Sequence, residues 1–246
     1  MNVIKLGGSV ITDKSNYRKV NQTLLSNLCE VISSNKEKKI LIHGAGSFGH
    51  ILALKFGLNK PGPIKGRERE IARVISDVLT LDSEIVDELN AKGVKAISVP
   101  PHVIYNSNKP DFRPIHSLLR KGFVPVLYGD IILFNGKYRI ISGDEIALDL
   151  SRKFRPESVV FLTDVDGLYD SDPKKNKNAK LIPSIKAKMI SVVDTDTDAT
   201  GSMAGKMERI KKMVAYSSRV VVLNGKKPER LGRYFRGLET ISTVIT

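Results

Sequence analysis

Short apolar runs alternate along the chain with longer stretches in which apolar residues recur every three or four positions. Val3-Ile4-Lys5-Leu6 reads as a strand that runs into Gly7-Gly8-Ser9 and then Val10-Ile11-Thr12-Asp13-Lys14. Over residues 20–35, Val20, Leu24, Leu25, Leu28, Val31 and Ile32 keep helical spacing. Residues 39–43 predict a second strand. It leads into His43-Gly44-Ala45-Gly46-Ser47-Phe48-Gly49-His50 and the amphipathic stretch 51–56. Residues 57–66 hold too much glycine and proline for a helix or a central strand. They predict a loop, either a lid or a plain connector.

Ile71, Val74, Ile75, Val78, Leu79, Ile85, Val86 and Leu89 predict a long helix over 67–92, closed by Lys92-Gly93. A strand at 95–99, a short helix at 114–121 and a strand at 123–128 follow. Asn135-Gly136, flanked by 131–134 and 138–141, predicts a hairpin. A helix carrying Ile146, Ala147, Leu150 and Phe154 comes next, then a strand at 158–163. Residues 174–200 are polar and irregular. A glycine turn over 199–206 leads into a helix with Ile210, Met213, Val214 and Tyr216, and strands at 219–223 and 241–245 close the sequence. This order predicts an α/β fold: one domain over 1–246, with a mostly parallel central sheet and helices on both faces. In such sheets ligands bind at the C-terminal strand ends.

Charge changes the picture in one respect. The 246 residues carry a formal net charge of +14, which favours anionic partners. The basic residues are scattered, with short clusters only at 36–39 and 174–180. The 7 Tyr and 8 Phe, with no Trp, do not interleave with them as base-stacking platforms would. Small polyanions therefore explain the sign without a nucleic-acid partner. No apolar run approaches the roughly 20 residues that span a bilayer. With a strand starting almost at once, the expectation is a cytoplasmic protein with no membrane partner. The single cysteine, Cys29, lies on the 20–35 stripe and is expected to pack there.

Several polar residues stand where the pattern does not ask for them. Lys5 interrupts an apolar strand beside a glycine pair, as either a snorkelling edge lysine or a cation aimed at a phosphate. Asp144 reads equally as a helix cap and as a functional carboxylate. Lys206 opens a helix, where the dipole disfavours a cation unless an anion binds nearby. His50 ends the glycine-rich motif and is either satisfied by backbone or directed at an oxyanion. Asp164, Asp166, Asp170 and Asp172 are acidic but lack EF-hand spacing, so no protein-held metal is expected. Walker and protein-kinase signatures are absent.

Together these segments resemble the amino acid kinase family, over nearly the whole chain. Lys5-Leu6-Gly7-Gly8-Ser9 is similar to its first nucleotide loop. Thr163-Asp164-Val165-Asp166-Gly167-Leu168-Tyr169 followed by Asp172-Pro173 is similar to its nucleotide segment, and Gly201-Ser202-Met203 through Lys206 to its last glycine–lysine turn. Ser202 stands where a second glycine is usual. Within the family, Gly7 to Lys14, His43 to His50, Tyr128-Gly129-Asp130 and Ile141-Ser142-Gly143-Asp144 resemble the archaeal-type isopentenyl phosphate kinases. The resemblance implies a three-layer sandwich with an N-terminal acceptor lobe (about 1–155) and a C-terminal nucleotide lobe (about 156–246). It implies phosphoryl transfer from ATP, with Mg²⁺ carried mainly by the nucleotide phosphates, to isopentenyl phosphate in isoprenoid biosynthesis, and a homodimer.

The resemblance also implies roles. Lys5, Lys14, His50, Asp144 and Lys206 would be catalytic. Lys5, Gly7, Gly8, Ser9, Gly46, Thr163, Asp164, Gly167, Tyr169, Gly201, Gly205 and Lys206 would hold ATP. Ala45, Gly46, His50, Gly129 and Gly143 would hold the acceptor, whose apolar tail would lie against the 71–79 helix face and Ile131 to Ile141. A kinase acting on a phosphonate such as fosfomycin is the nearest alternative. A non-catalytic basic nucleic-acid-binding α/β protein is the alternative from another class, and the presence of all three lysines with Asp144 argues against it.

Overall fold

A computed structural model describes the chain apart from residues 14, 108, 172, 174–175 and 193–201. At 191–192, 202–204 and 206 it describes the backbone alone. The first half comprises β1 (Asn2–Leu6), α1 (Gly8–Ile11), α2 (Gln22–Ser34), β2 (Lys39–His43), α3 (Gly46–Lys55), β3 (Gly62–Pro63), α4 (Glu68–Ala91), β4 (Ala96–Ser98), α5 (Pro101–Ile104), α6 (Arg113–Arg120) and β5 (Val124–Tyr128). The second comprises β6 (Asp130–Phe134), β7 (Lys137–Ile141), α7 (Gly143–Phe154), β8 (Ser158–Thr163), β9 (Leu168–Tyr169), β10 (Leu181–Ile182), β11 (Ser184–Ile185), a 3-10 turn (Ala187–Val192), α8 (Ser202–Val214), β12 (Arg219–Asn224), α9 (Pro228–Phe235) and β13 (Thr243–Ile245).

Among the described residues the main sheet runs β11-β13-β12-β8-β1-β2-β5-β4. Every neighbouring pair is parallel except β12 and β13. Strand side chains alternate between faces, so each central strand feeds two cores. Val3, Ile40, Ile42, Val159, Phe161, Val220 and Val222 point to one core, with residues of α6, α7 and α8. Ile4, Leu6, Leu41, Val160, Leu162, Val221 and Leu223 point to the other, with α2, α4 and α9. Cys29 is fully buried in the second core, and burial pushes its thiol up to about 12, in keeping with a packing role.

A smaller sheet, β3-β7-β6, carries the predicted hairpin. Asn135 and Gly136 both have positive φ (49° and 71°), the conformation a two-residue type I′ turn demands. The 57–66 loop contains an edge strand that pattern alone did not predict: Gly62 and Pro63 pair with Tyr138 and Lys137. Proline is tolerated there because an edge strand has one unpaired side. Leu79 is another difference. It keeps the helical period yet is 48% exposed, because the buried stripe of α4 passes through Ile71, Val74, Val78, Leu81, Ile85 and Leu89.

Candidate active site

The parallel strands bring β1, β2, β5, β8 and β12 to a common C-terminal edge, where Gly7, Gly44, Gly129, Asp164 and Gly225 follow them. Lys5 sits one residue before the end of β1, on the face shared with Val3 and beside Phe161 in register. Its ammonium lies 5.7 Å from the Phe161 ring centre and 2.5 Å from Asp144 Oδ1. The snorkelling-edge alternative is thereby excluded, because β1 is central. Asp144 is not the cap of α7 either: the Ser142 hydroxyl accepts from Glu145 N at 3.1 Å and fills that role. A β-carbon on Gly143 would lie 3.0 Å from Lys5 Cε, so glycine at the start of α7 leaves room for the lysine to reach its partner.

The glycines at this edge have a reason in the protein itself. A β-carbon on Gly8 would meet Gly46 N at 2.6 Å, and one on Gly44 would meet Gly8 N at 2.7 Å. The turns after β1 and β2 touch backbone to backbone. Gly46 has φ +50°, and its missing side chain makes way for Thr12. Gly7 N donates to Leu162 O at 3.0 Å, and a β-carbon on Gly7 would meet that same oxygen. Ser9 lies in the single turn of α1 directly above this junction. Gly129 N donates to His43 O at 3.2 Å, which draws the β5 end to the same place.

On the β2 side, Ala45 opens α3 and His50 stands exposed on its second turn. Behind them, Leu52, Ala53 and Leu58 pack with Ile71, Val74 and Val78 of α4 and with Tyr128, Ile131 and Tyr138. The α4 face and the hairpin, two separate expectations for an apolar pocket, thus meet beside the 43–50 turn. His43, fully buried, closes the base of this region. Its Nε2 lies 3.1 Å from Asp82 Oδ1, its ring stacks on Tyr128 at 5.1 Å, and Ser98 donates to the other Asp82 oxygen. Asp130 is also buried, and desolvation pushes its carboxyl up to about 7.

On the β8 side, Thr163 ends the strand and its hydroxyl donates to Val165 O at 3.0 Å; Asp164 follows in the turn. Gly167 packs against Thr243, whose hydroxyl accepts from Leu168 N at 2.8 Å. Tyr169 pairs with Leu181 across β9 and β10, and burial raises its phenol. Lys14 and Gly201 lie outside the described residues, as do Asp172, Asp194, Asp196 and Asp198. Lys206 is described only as backbone within α8. Gly205 is the fourth residue of that helix, so the expected turn over 199–206 ends earlier: helix begins at Ser202. Ordinary helical backbone suits a glycine there at modest cost.

The sequence profile of the amino acid kinase family matches residues 1–224. The chain belongs to the amino acid kinase family. It is 38% identical over 235 residues to the isopentenyl phosphate kinase of Thermoplasma acidophilum, covering 94% of this chain and 95% of that one. It is 32% identical to the isopentenyl phosphate kinase of Methanothermobacter thermautotrophicus, covering 100% and 99%. A crystal structure of an isopentenyl phosphate kinase substrate complex superposes over the full length of both chains with a TM-score of 0.88 at 37% identity. The Bacillus anthracis UMP kinase, at a TM-score of 0.70 and 18% identity, shares the fold alone.

The chain also contains a polar cluster that the apolar pattern does not reveal. Asp166 takes hydrogen bonds from Arg230 Nη1 (2.6 Å) and Asn224 Nδ2 (2.8 Å). Burial opposes its charge, but these partners outweigh burial and hold its carboxyl below the usual range. The cluster ties the turn after β8 to the end of β12 and to α9. Asp77 and Asp82, both 1% exposed, were legible in principle: each falls on the apolar stripe of α4, where a carboxylate is out of place.

Proposed function

We propose that this protein transfers the γ-phosphoryl group of ATP to isopentenyl phosphate, giving isopentenyl diphosphate and ADP. The observation that carries the reading is the Lys5–Asp144 pair, held 2.5 Å apart at the edge where the Gly7–Gly8 and Gly44–Gly46 backbones meet. The identity to isopentenyl phosphate kinases along almost the whole chain supports the choice of acceptor.

The chemistry suits these residue types. A phosphomonoester already carries an oxyanion at neutral pH, so transfer to it needs no strong general base. The obstacle is charge: two unit charges 4 Å apart repel by roughly 4 kcal/mol at an effective dielectric near 20. Lysines and backbone N–H groups offset that repulsion and stabilise charge on the transferred group. We assign Lys5 and Lys206 to the ATP phosphates, with Gly7, Gly8, Ser9, Gly201 and Gly205. Thr163, Asp164, Gly167 and Tyr169 serve the nucleoside side. Asp144 orients Lys5, and Lys14 acts on the transferred phosphoryl group. Ala45, Gly46, Gly129 and Gly143 line the acceptor, whose phosphate takes a hydrogen bond from His50. The isoprenoid tail lies against Ile71, Val74 and Ile131.

Magnesium enters with ATP as part of the substrate. The N-terminal lobe, about 1–155, serves the acceptor and the C-terminal lobe, about 156–246, the nucleotide. We assign the protein to the cytoplasm; separately, no helix among the described residues is long and apolar enough to cross a membrane. A homodimer completes the reading. Leu54 and Leu79, 64% and 48% exposed, offer apolar surface on the packed helices α3 and α4 for a second copy.

The test is ADP release with ATP, Mg²⁺ and, in turn, isopentenyl phosphate, dimethylallyl phosphate, fosfomycin, UMP and N-acetylglutamate. Isopentenyl phosphate is expected to accelerate release most. No acceleration by either prenyl phosphate overturns the proposal.

A further inference from the structure

We propose that Asp77 is a positioning residue: through Tyr17 and Arg18 it latches the 12–20 loop, which carries Lys14, onto α4 and the start of α3. The inference rests on the assignment of Lys14 to the transferred phosphoryl group and of Ala45, Gly46 and His50 to the acceptor.

Asp77 occupies the buried stripe of α4 and is 1% exposed. Tyr17 donates its hydroxyl to Asp77 Oδ2. Arg18 Nη1 lies 3.5 Å from Oδ1. Arg73, one turn earlier on α4, places Nε 3.2 Å from Oδ1 and donates from Nη2 to the Tyr17 oxygen at 3.0 Å. Two of the three groups on this carboxylate therefore come from the loop. An apolar side chain would pack α4 at least as well, since a buried ion pair is seldom better than neutral for stability. What the carboxylate adds is a fixed location for Tyr17 and Arg18.

The rest of the loop is built to transmit that constraint. Thr12 and Val20 form a bridge, and Asp13 N donates to Lys19 O at 2.9 Å. The Asp13 carboxylate accepts from Ser15 N (2.9 Å) and Asn16 Nδ2 (2.8 Å). Asp13 and Asn16 are thus tethered within the loop. Arg18 is held at φ +54°, a left-handed conformation unusual for a side-chain-bearing residue, with its guanidinium 5.8 Å from the Phe48 ring centre. The loop also grips α3: Ser47 N donates to Thr12 Oγ1 at 2.9 Å, and Lys19 N to Ser47 Oγ at 3.4 Å. One carboxylate thereby sets the loop before Val20 and the first turn of α3 in a common frame.

Tyr17→Phe and Asp77→Asn test this. Tyr17 is 42% exposed, so the first variant removes one hydroxyl without opening the core. Hydrogen exchange of the Asp13 amide and steady-state kinetics with ATP and isopentenyl phosphate are measured on both variants. The expected result is exchange faster by about tenfold. With it, kcat should fall by about tenfold while KM for ATP stays within about twofold, the signature of a displaced reacting group rather than lost binding. Wild-type exchange in both variants overturns the latch. Faster exchange with kcat unchanged overturns the positioning role. If the wild-type protein turns over neither prenyl phosphate, the functional reading fails, and the exchange measurement still decides whether the latch exists.

Discussion

Lys5 and Asp144 stand 139 residues apart in the chain and 2.5 Å apart in space. The lysine comes from the middle strand of the sheet and the carboxylate from the first turn of α7. Asp144→Asn keeps the shape and removes the charge that orients the ammonium. We expect kcat/KM to fall by about 10²-fold, the scale for a lost electrostatic contact in phosphoryl transfer. The melting temperature should fall by only a few degrees, since the pair is partly solvated and the negative charge near a helix N-terminus is worth under about 1 kcal/mol. Retention of wild-type kcat/KM would remove the pair from the mechanism.

His50 is exposed on α3, so His50→Ala should leave the fold unaltered. Turnover of isopentenyl phosphate should drop by about 10² to 10³, the scale for losing one hydrogen-bond donor to a reacting oxyanion, while ATP affinity measured by calorimetry is retained. Equal turnover in variant and wild type would show that His50 does not touch the acceptor.

Gly8→Ala sets a methyl group against the backbone nitrogen of Gly46. Neither backbone can rotate away as a side chain would. Denaturant unfolding should show a loss of about 1–3 kcal/mol, the cost of overpacking, accompanied by weaker binding of both substrates. An Ala variant that binds one substrate normally would mean the two turns move independently.

Asp82→Ala removes the carboxylate facing His43 and the Ser98 hydroxyl in a buried setting. Leaving a buried hydrogen-bonding group without its partner costs about 1–3 kcal/mol, and two groups lose theirs here. Chemical denaturation of the variant measures it, and a loss below about 1 kcal/mol would show that water or a neighbour takes over.

Asp130 gives stability a pH dependence. Burial lifts its folded carboxyl to about 7, with the charge of Asp82 adding to the effect. In the unfolded chain it titrates near about 4. The folded form therefore holds the proton across a window in which the unfolded form has lost it. This group's contribution is fully present below about pH 4, declines as pH rises, and is gone above about pH 7. Asp130→Asn cannot ionise. Its melting temperature relative to wild type should rise progressively between about pH 4 and pH 7, and a constant difference across that range would refute the assignment.

Much of this could be read from apolar spacing. Helix α4, the hairpin around Asn135-Gly136 and the central strands appear where the periodicity places them. Lys5 drew notice because it interrupts an otherwise apolar strand beside a glycine pair. Other features escaped for identifiable reasons. Asp77 and Asp82 lie on the α4 stripe, but a stripe is recognised by its apolar members, and a charged member is discounted. Strands β9 to β11 have two residues each and helix α9 only eight, too short to show a clear period, and contacts made by Arg230 and Thr243 help hold this region in place. The Gly8–Gly46 contact could not be inferred at all, since it joins turns that are distant in sequence and have no side chains to mark the meeting.

That contact constrains how the protein can diversify. Where the turns after β1 and β2 abut, any side chain larger than hydrogen at Gly8 or Gly44 collides with the facing backbone, so amino-acid exchange there disturbs the join. A change of acceptor would instead run through Ile71, Val74, Ile131 and the hairpin, which pack in a separate cluster away from the join. The mutable wall and the immutable seam are separate parts of the molecule, and a lineage could acquire new acceptors while its handling of the phosphoryl donor stayed the same.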